Sequence, residues 1–143
     1  GTASLVGAVQ DEDWRVRREA VAALGRMGGK WAQDALIGAV QDKDWRIRLL
    51  AVKTLGRMGD KGVVEPLIAT LQDEEYGVRY HAVVALEELQ DPRAIRPFIL
   101  VLNDGDAHFQ KRVLMALNML TGNDLGPDPD LWKEWWAENE DGP

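Results

Sequence analysis

The sequence predicts an all-α repeat fold, an α-solenoid of four helix pairs with a C-terminal capping helix. Three observations point there. The phrase "DEDWRVR" at 11–17 returns as "DKDWRIR" at 42–48 and as "DEEYGVR" at 73–79. Leu5, Leu36, Leu67 and Phe98 stand 31 residues apart, as do Leu24, Leu55, Leu86 and Leu117. Within each period, apolar residues recur at the spacing of a helix face. A fixed period of this kind marks units that bury their apolar faces by stacking on one another. The units are 5–35, 36–66, 67–97 and 98–128, followed by a Trp-rich cap at 129–140, all in one domain spanning 1–143.

Each unit reads as a short helix followed by a longer one. The first helix of unit one is shortened, because only Gly1–Leu5 precede "VGAV". Unit two shows the pattern most fully, and 18 of its 31 positions are identical to those of unit one. Its first helix is expected over about Trp31–Val40, with Ala35, Leu36 and Val40 inward. "QDKD" breaks that helix, and Asp42 or Asp44 can accept hydrogen bonds from the free N–H groups of the next one. Ile47, Ala51, Thr54, Leu55 and Met58 then form the buried stripe, and Gly59 ends the helix in the left-handed conformation that glycine tolerates. Ala20, Ala51 and Ala82 leave room for close helix approach. Pro66 and Pro97 fall inside the first-helix pattern of later units, so those helices should start late or kink. "DP" at 91–92 and 128–129 supplies an N-cap followed by proline in the first turn. In "LWKEWWAENE", Leu131, Trp132, Trp135 and Trp136 form one apolar face, expected to lie as a lid over unit four.

Composition excludes several functions. The chain has no cysteine, so disulfides and thiolate metal sites are ruled out, and a cytoplasmic location fits. No apolar run approaches the ~20 residues needed to span a bilayer. The net charge is −7, but residues 1–66 carry 11 Lys/Arg against 9 Asp/Glu, whereas residues 67–143 carry 6 against 15. An acidic whole argues against general nucleic-acid affinity and leaves only a basic patch in the first half.

The phrase D-x-D-W-x-V-R-x-x-A-V-x-x-L-G-x-M-G, at residues 11–28, resembles the HEAT-like repeats of the phycobilisome-lyase type, and the likeness extends over about residues 5–120. The segment Leu120–Trp136 is similar to the ending of many bacterial members. The resemblance implies the α-solenoid, with second helices lining a concave surface, and an Asp/Arg ladder between repeats. Asp11, Asp42 and Asp73, with Arg17, Arg48 and Arg79, occupy the ladder positions, and the ladder should end at unit three because Gln110 replaces the arginine in unit four. Iron-dependent HEAT-like hydroxylases carry His-Glu pairs. Here His81 is followed by Ala82 and His108 by Phe109, so that chemistry does not carry over.

No nucleophile–base set, phosphate-cradling loop or metal-ligand spacing stands out. The carboxylates of "NDGDAH" and "GNDLGPDPD" read as turn chemistry, since neither follows a calcium-binding loop. Neither a catalytic residue nor a cofactor is expected. The functional reading is a non-enzymatic scaffold that binds a protein or peptide on the second-helix face. Core positions repeat almost unchanged along the chain, while the flanking ones vary. The candidate contact residues are Trp14, Arg18, Trp45, Arg46, Leu49, Lys53, Tyr76, Tyr80, His81 and Val84. Trp, Tyr and Arg are the residue types that dominate interface energetics. The aromatics at 14, 45 and 76 suit either partner contact or sealing between repeats. The alternatives are an accessory subunit for chromophore or cofactor attachment, implied by the family, and nucleic-acid binding through the basic half. In assembly, a monomer or end-to-end association through the shortened first repeat is expected.

Overall fold

The computed structural model describes residues 2–140, and the regular elements among them are all helical. They are α1 (Thr2–Ala8), α2 (Trp14–Met27), α3 (Gly29–Ala39), α4 (Trp45–Met58), α5 (Val64–Ala69), α6 (Tyr76–Leu89), α7 (Ile95–Val101), α8 (Ala107–Thr121) and α9 (Pro129–Asn139). The second helices α2, α4, α6 and α8 stack on one another in order. Each also packs on the first helix of its own unit, so the chain is a two-layered α-solenoid. Gly1, counted with the first helix in the sequence reading, lies outside the described residues.

The periodic leucines form the core between the layers. Leu24, Leu36, Leu55, Leu67, Leu86, Phe98 and Leu117 are fully buried, and so are Ala51 and Ala82. Leu36 and Val40 point inward as expected, while Ala35 is half-buried. Helix ends follow local chemistry. Asp13 and Asp44 cap α2 and α4 by accepting the N–H groups of Arg15 and Arg46 at 2.9 Å each. Gly59 ends α4 with a left-handed φ of 71°.

Three details differ from the sequence reading. α3 begins at Gly29 rather than near Trp31, because Gly28 and Gly29 both adopt positive φ and turn the chain sharply into the helix. Pro66 and Pro97 each occupy the third position of their helix, where no intrahelical donor is needed. A short 3₁₀ turn precedes both helices, so they start late without a kink. Glycine, and not only alanine, allows the closest second-helix approach: a Cβ on Gly56 would stand 2.7 Å from the Ala85 Cβ, and one on Gly25 would stand 2.5 Å from the Thr54 methyl.

The C-terminal helix α9 packs on α7, the first helix of unit four. Trp132 is its fully buried anchor, and its indole N–H donates to the Gly126 carbonyl at 2.7 Å. Trp135 and Trp136 pack half-buried against the core. Leu131 does not join this face. It is 46% exposed, because one step of about 100° separates it from Trp132 on a short helix whose inward direction Trp132 occupies.

Candidate functional site

The repeated phrase builds one junction, used with variations between successive units. Asp42 Oδ1 accepts the Asp44 N–H at 2.8 Å, which bends the loop into the helix, and Asp73 does the same for Glu75 at 2.9 Å. The Arg17 side chain donates to both Asp42 oxygens, at 2.9 and 3.2 Å, and to the Asp11 carbonyl at 2.8 Å. Arg48 repeats this with Asp73, at 2.8 and 3.1 Å, and with the Asp42 carbonyl. Both ion pairs are nearly buried, and the Asp73 carboxylate raises the Arg48 pKa further above its ordinary value.

Among the described residues the ladder has two rungs between units, the second ending on Asp73 of unit three. The Asp11 carboxylate accepts from its own loop, at the Asp13 N–H, and among the described residues no arginine of another unit pairs with it. Arg79 forms no ion pair with Asp104. Its Nη1 donates to the Asp73 carbonyl at 2.8 Å, and its buried Nε has no partner. Beside it is Phe109, which stands where Ile47 and Val78 stand in the preceding units. Its ring is fully buried, packs against the loop at Gly105 and takes the Arg79 guanidinium over its face at 5.6 Å. Between α6 and α8, Glu87 replaces the packing glycine and pairs with Arg112 at 2.6 Å.

The three repeated aromatics have different surroundings. Trp14 is half-buried under two guanidinium groups, Arg46 at 3.5 Å from the ring centroid and Arg18 at 5.1 Å. Asp44 holds Arg46 in place through two hydrogen bonds at 3.0 and 2.7 Å. Arg46 in turn draws the Asp44 pKa down to about 2. Tyr76 is half-buried in an aromatic cluster. Its hydroxyl meets His108 Nδ1, and its ring lies 6.0 Å from Tyr80 and 6.3 Å from Phe109. Tyr80 stacks on His108 with an 11° interplanar angle and meets His81 edge-on. Burial, followed by the nearby Asp106 and Tyr80, pushes the Tyr76 pKa up. Trp45 has neither kind of cover and is 44% exposed.

The residue at the next position explains the difference. Arg46, Gly77 and His108 share one place in the 31-residue register. Arg46 covers Trp14 and His108 covers Tyr76, whereas Gly77 has no side chain to place over Trp45. The contribution of His108 and Gly77 was not apparent from the aromatics alone; the row 15, 46, 77, 108 carries the signal.

Around Trp45 the second-helix face is partly apolar. Leu49, Leu50, Tyr80 and Val84 are half-buried, with Arg18 and Lys53 exposed at its margin. A groove of about 240 Å³ between α4 and α6 is lined by Lys53, Arg57, His81, Val84 and Glu88. Burial, and then Lys53, lowers the His81 pKa, which favours the neutral imidazole in this groove. Another groove, of about 410 Å³ between α2 and α4, is lined by Arg26, Leu50, Thr54, Arg57 and Met58. The structure thus groups Trp45, Leu49, Lys53, Tyr80, His81 and Val84 on neighbouring turns of α4 and α6. Trp14 and Arg46 are instead engaged with each other. Among the described residues, no group of three or more His, Asp or Glu is placed to hold a metal ion. No described helix is long and apolar enough to cross a membrane.

Comparison with known proteins agrees with the architecture. The chain superimposes on human deoxyhypusine hydroxylase with a TM-score of 0.72 and 21% identity, covering 99% of this chain and 46% of that one. It therefore spans less than half the hydroxylase's length. It superimposes on a chain of the CpcE–CpcF complex of phycocyanin lyase from Nostoc sp. PCC7120 with a TM-score of 0.68 and 20% identity, covering 96% and 69%. At these identities the likeness is one of fold. No curated protein matches the sequence. The family model for HEAT repeats matches residues 2–78 and 64–130, and the chain belongs to the HEAT-repeat family.

Proposed function

We propose that this chain is a non-enzymatic scaffold that binds a protein or peptide partner on the face of its stacked second helices. The observation that carries this reading is the exposed Trp45 beside the half-exposed Leu49, Leu50, Tyr80 and Val84. Large apolar side chains grouped on a helix face and rimmed by cations are what partner surfaces offer. Trp45, Leu49, Tyr76 and Tyr80 form the anchor, with Arg18, Arg46 and Lys53 as polar neighbours. Arg46 and Tyr76 act chiefly by fixing the surface, since both are already engaged. The ladder residues hold the units in register.

The test is a pull-down from source-cell lysate comparing wild type with a folded Trp45→Ala/Leu49→Ser/Tyr80→Ser variant. A protein retained by the first and lost by the second supports the reading; equal recovery overturns it. The fold likeness to a phycocyanin lyase chain favours one second reading, an accessory role in chromophore attachment. Under that reading, added bilin would change its visible absorbance in the presence of the protein.

A further inference from the structure

The Arg46–Trp14 contact is an internal template for what is missing one repeat later. In the first junction, a planar guanidinium lies 3.5 Å from the Trp14 ring centroid and forks onto the Asp44 carboxylate. Moving each residue on by one 31-residue period gives Trp45 for Trp14, Gly77 for Arg46 and Glu75 for Asp44. The aromatic and the carboxylate are kept, and the cation between them is gone. Trp45 is 44% exposed, and a Cβ added to Gly77 meets nothing within 4 Å. Glu75, at the N-cap of α6, makes no side-chain capping bond, and among the described residues its carboxylate has no hydrogen-bond or ion-pair partner. In the third junction the place is filled again, by His108 against Tyr76. Among the described residues, only the middle junction is open.

We propose that the protein partner fills this place with an arginine side chain, stacked on Trp45 and paired with Glu75. The inference rests on the reading of the second-helix face as a binding surface. Arginine is favoured over lysine because its planar fork matches both parts of the template at once, the ring face and the carboxylate. Cations seat on indole faces more strongly than on other aromatic rings. Leu49, half-buried one turn further along α4, offers apolar surface to the aliphatic stem of the incoming side chain. On the α6 side of the place charge agrees, since Glu74 is exposed beside Glu75; the cations Arg46 and Lys53 belong to the α4 side.

The test uses the whole chain labelled with 5-fluorotryptophan, with the Trp45 fluorine signal assigned from Trp45→Phe. The probes are the N-acetyl amides of arginine, lysine and citrulline, titrated to about 100 mM, since one isolated side chain binds weakly. Arginine amide should shift the Trp45 signal saturably, lysine amide less, and neutral citrulline amide not at all. Glu75→Gln should weaken the response by roughly tenfold, as expected for loss of a charge-assisted pair. Gly77→Arg should supply the cation internally, displacing the Trp45 signal at the outset and removing the response. Arg46→Gly should open the first junction and add Trp14 as a second responding signal. The proposal is overturned if arginine amide produces no saturable shift, if citrulline matches it, or if the response survives Gly77→Arg. Lysate capture separates this failure from failure of the wider reading. A partner lost by Trp45→Ala/Leu49→Ser/Tyr80→Ser but kept by Gly77→Arg overturns the arginine and leaves the face intact. A partner kept by all variants overturns both.

Discussion

Arg17 and Arg48 each close a fork on a carboxylate of the next unit while holding a carbonyl of their own loop. Arg79 holds only the carbonyl. Removing Arg48 leaves Asp73 buried without its counter-charge, a loss of about 3–5 kcal/mol for a nearly buried pair. Arg79→Ala strands no carboxylate, so its cost should fall well below that of Arg48→Ala in denaturant unfolding. Equal costs would show that the carbonyl bond, and not the ion pair, joins the repeats. Acid should expose two further carboxylates. Asp44 and Asp91 are held at about 2 from an ordinary 3.8, each mainly by hydrogen bonds from the arginine two residues on. A depressed carboxylate contributes its stability fully above its unfolded value, and loses it as pH falls through the folded one. The contribution is therefore present above about pH 4 and lost toward pH 2. An Asp44→Asn/Asp91→Asn variant should start less stable at neutral pH and show a shallower fall in melting temperature across that window.

At the scale of helices, most boundaries were legible because the cap chemistry is local. Aspartates at 13, 44 and 128, and the prolines at 66, 97 and 129, act within a few residues of their own position. What depended on two units at once was less legible. The cover over an aromatic comes from the following repeat, so "DKDWRIR" alone cannot show that Trp45 is bare. Likewise the packing of the Arg79 guanidinium over Phe109 involves a residue thirty positions downstream in sequence, although the end of the ladder at unit three was legible. Leu131 was misplaced because a helix of 11 residues with four large apolar side chains has more than one plausible inward face. Helix spacing was similarly hidden in Gly56. Propensity favours Gly56→Ala by about 0.5–1 kcal/mol in a helix interior. Against this, the new methyl meets the Ala85 Cβ at 2.7 Å and its Cα at 3.2 Å, with no rotamer to relieve it. Overpacking of this kind costs about 1–3 kcal/mol. The variant should be net destabilised in thermal unfolding, with α4 and α6 pushed apart; a gain in stability would mean that the helices slide freely.

Across the whole molecule, stability is carried between neighbours, because no unit touches more than those beside it in a stacked array. That makes the C-terminal helix a boundary condition for everything before it. Trp132 is fully buried, its N–H is bonded to Gly126, and α9 rests on α7. Replacing it with alanine removes a large aromatic from the core, a loss of about 3–5 kcal/mol. How that loss spreads distinguishes two descriptions of the fold. If coupling between units is weak, hydrogen exchange should quicken most in α7 and α8, less in α6 and least in α2 and α4. If the junctions transmit stability fully, protection should fall by the same factor in every second helix. The graded outcome is expected, because the α6–α8 junction lacks both the ladder rung and the glycine packing that join the earlier units. Their absence makes it the weakest link, and α2, α4 and α6 the more rigid body. That body contains the open Trp45 position, so Trp132→Ala should leave the arginine-amide response of Trp45 intact while loosening unit four. Loss of the response in that variant would mean that the cap sets the geometry of the binding face from three repeats away.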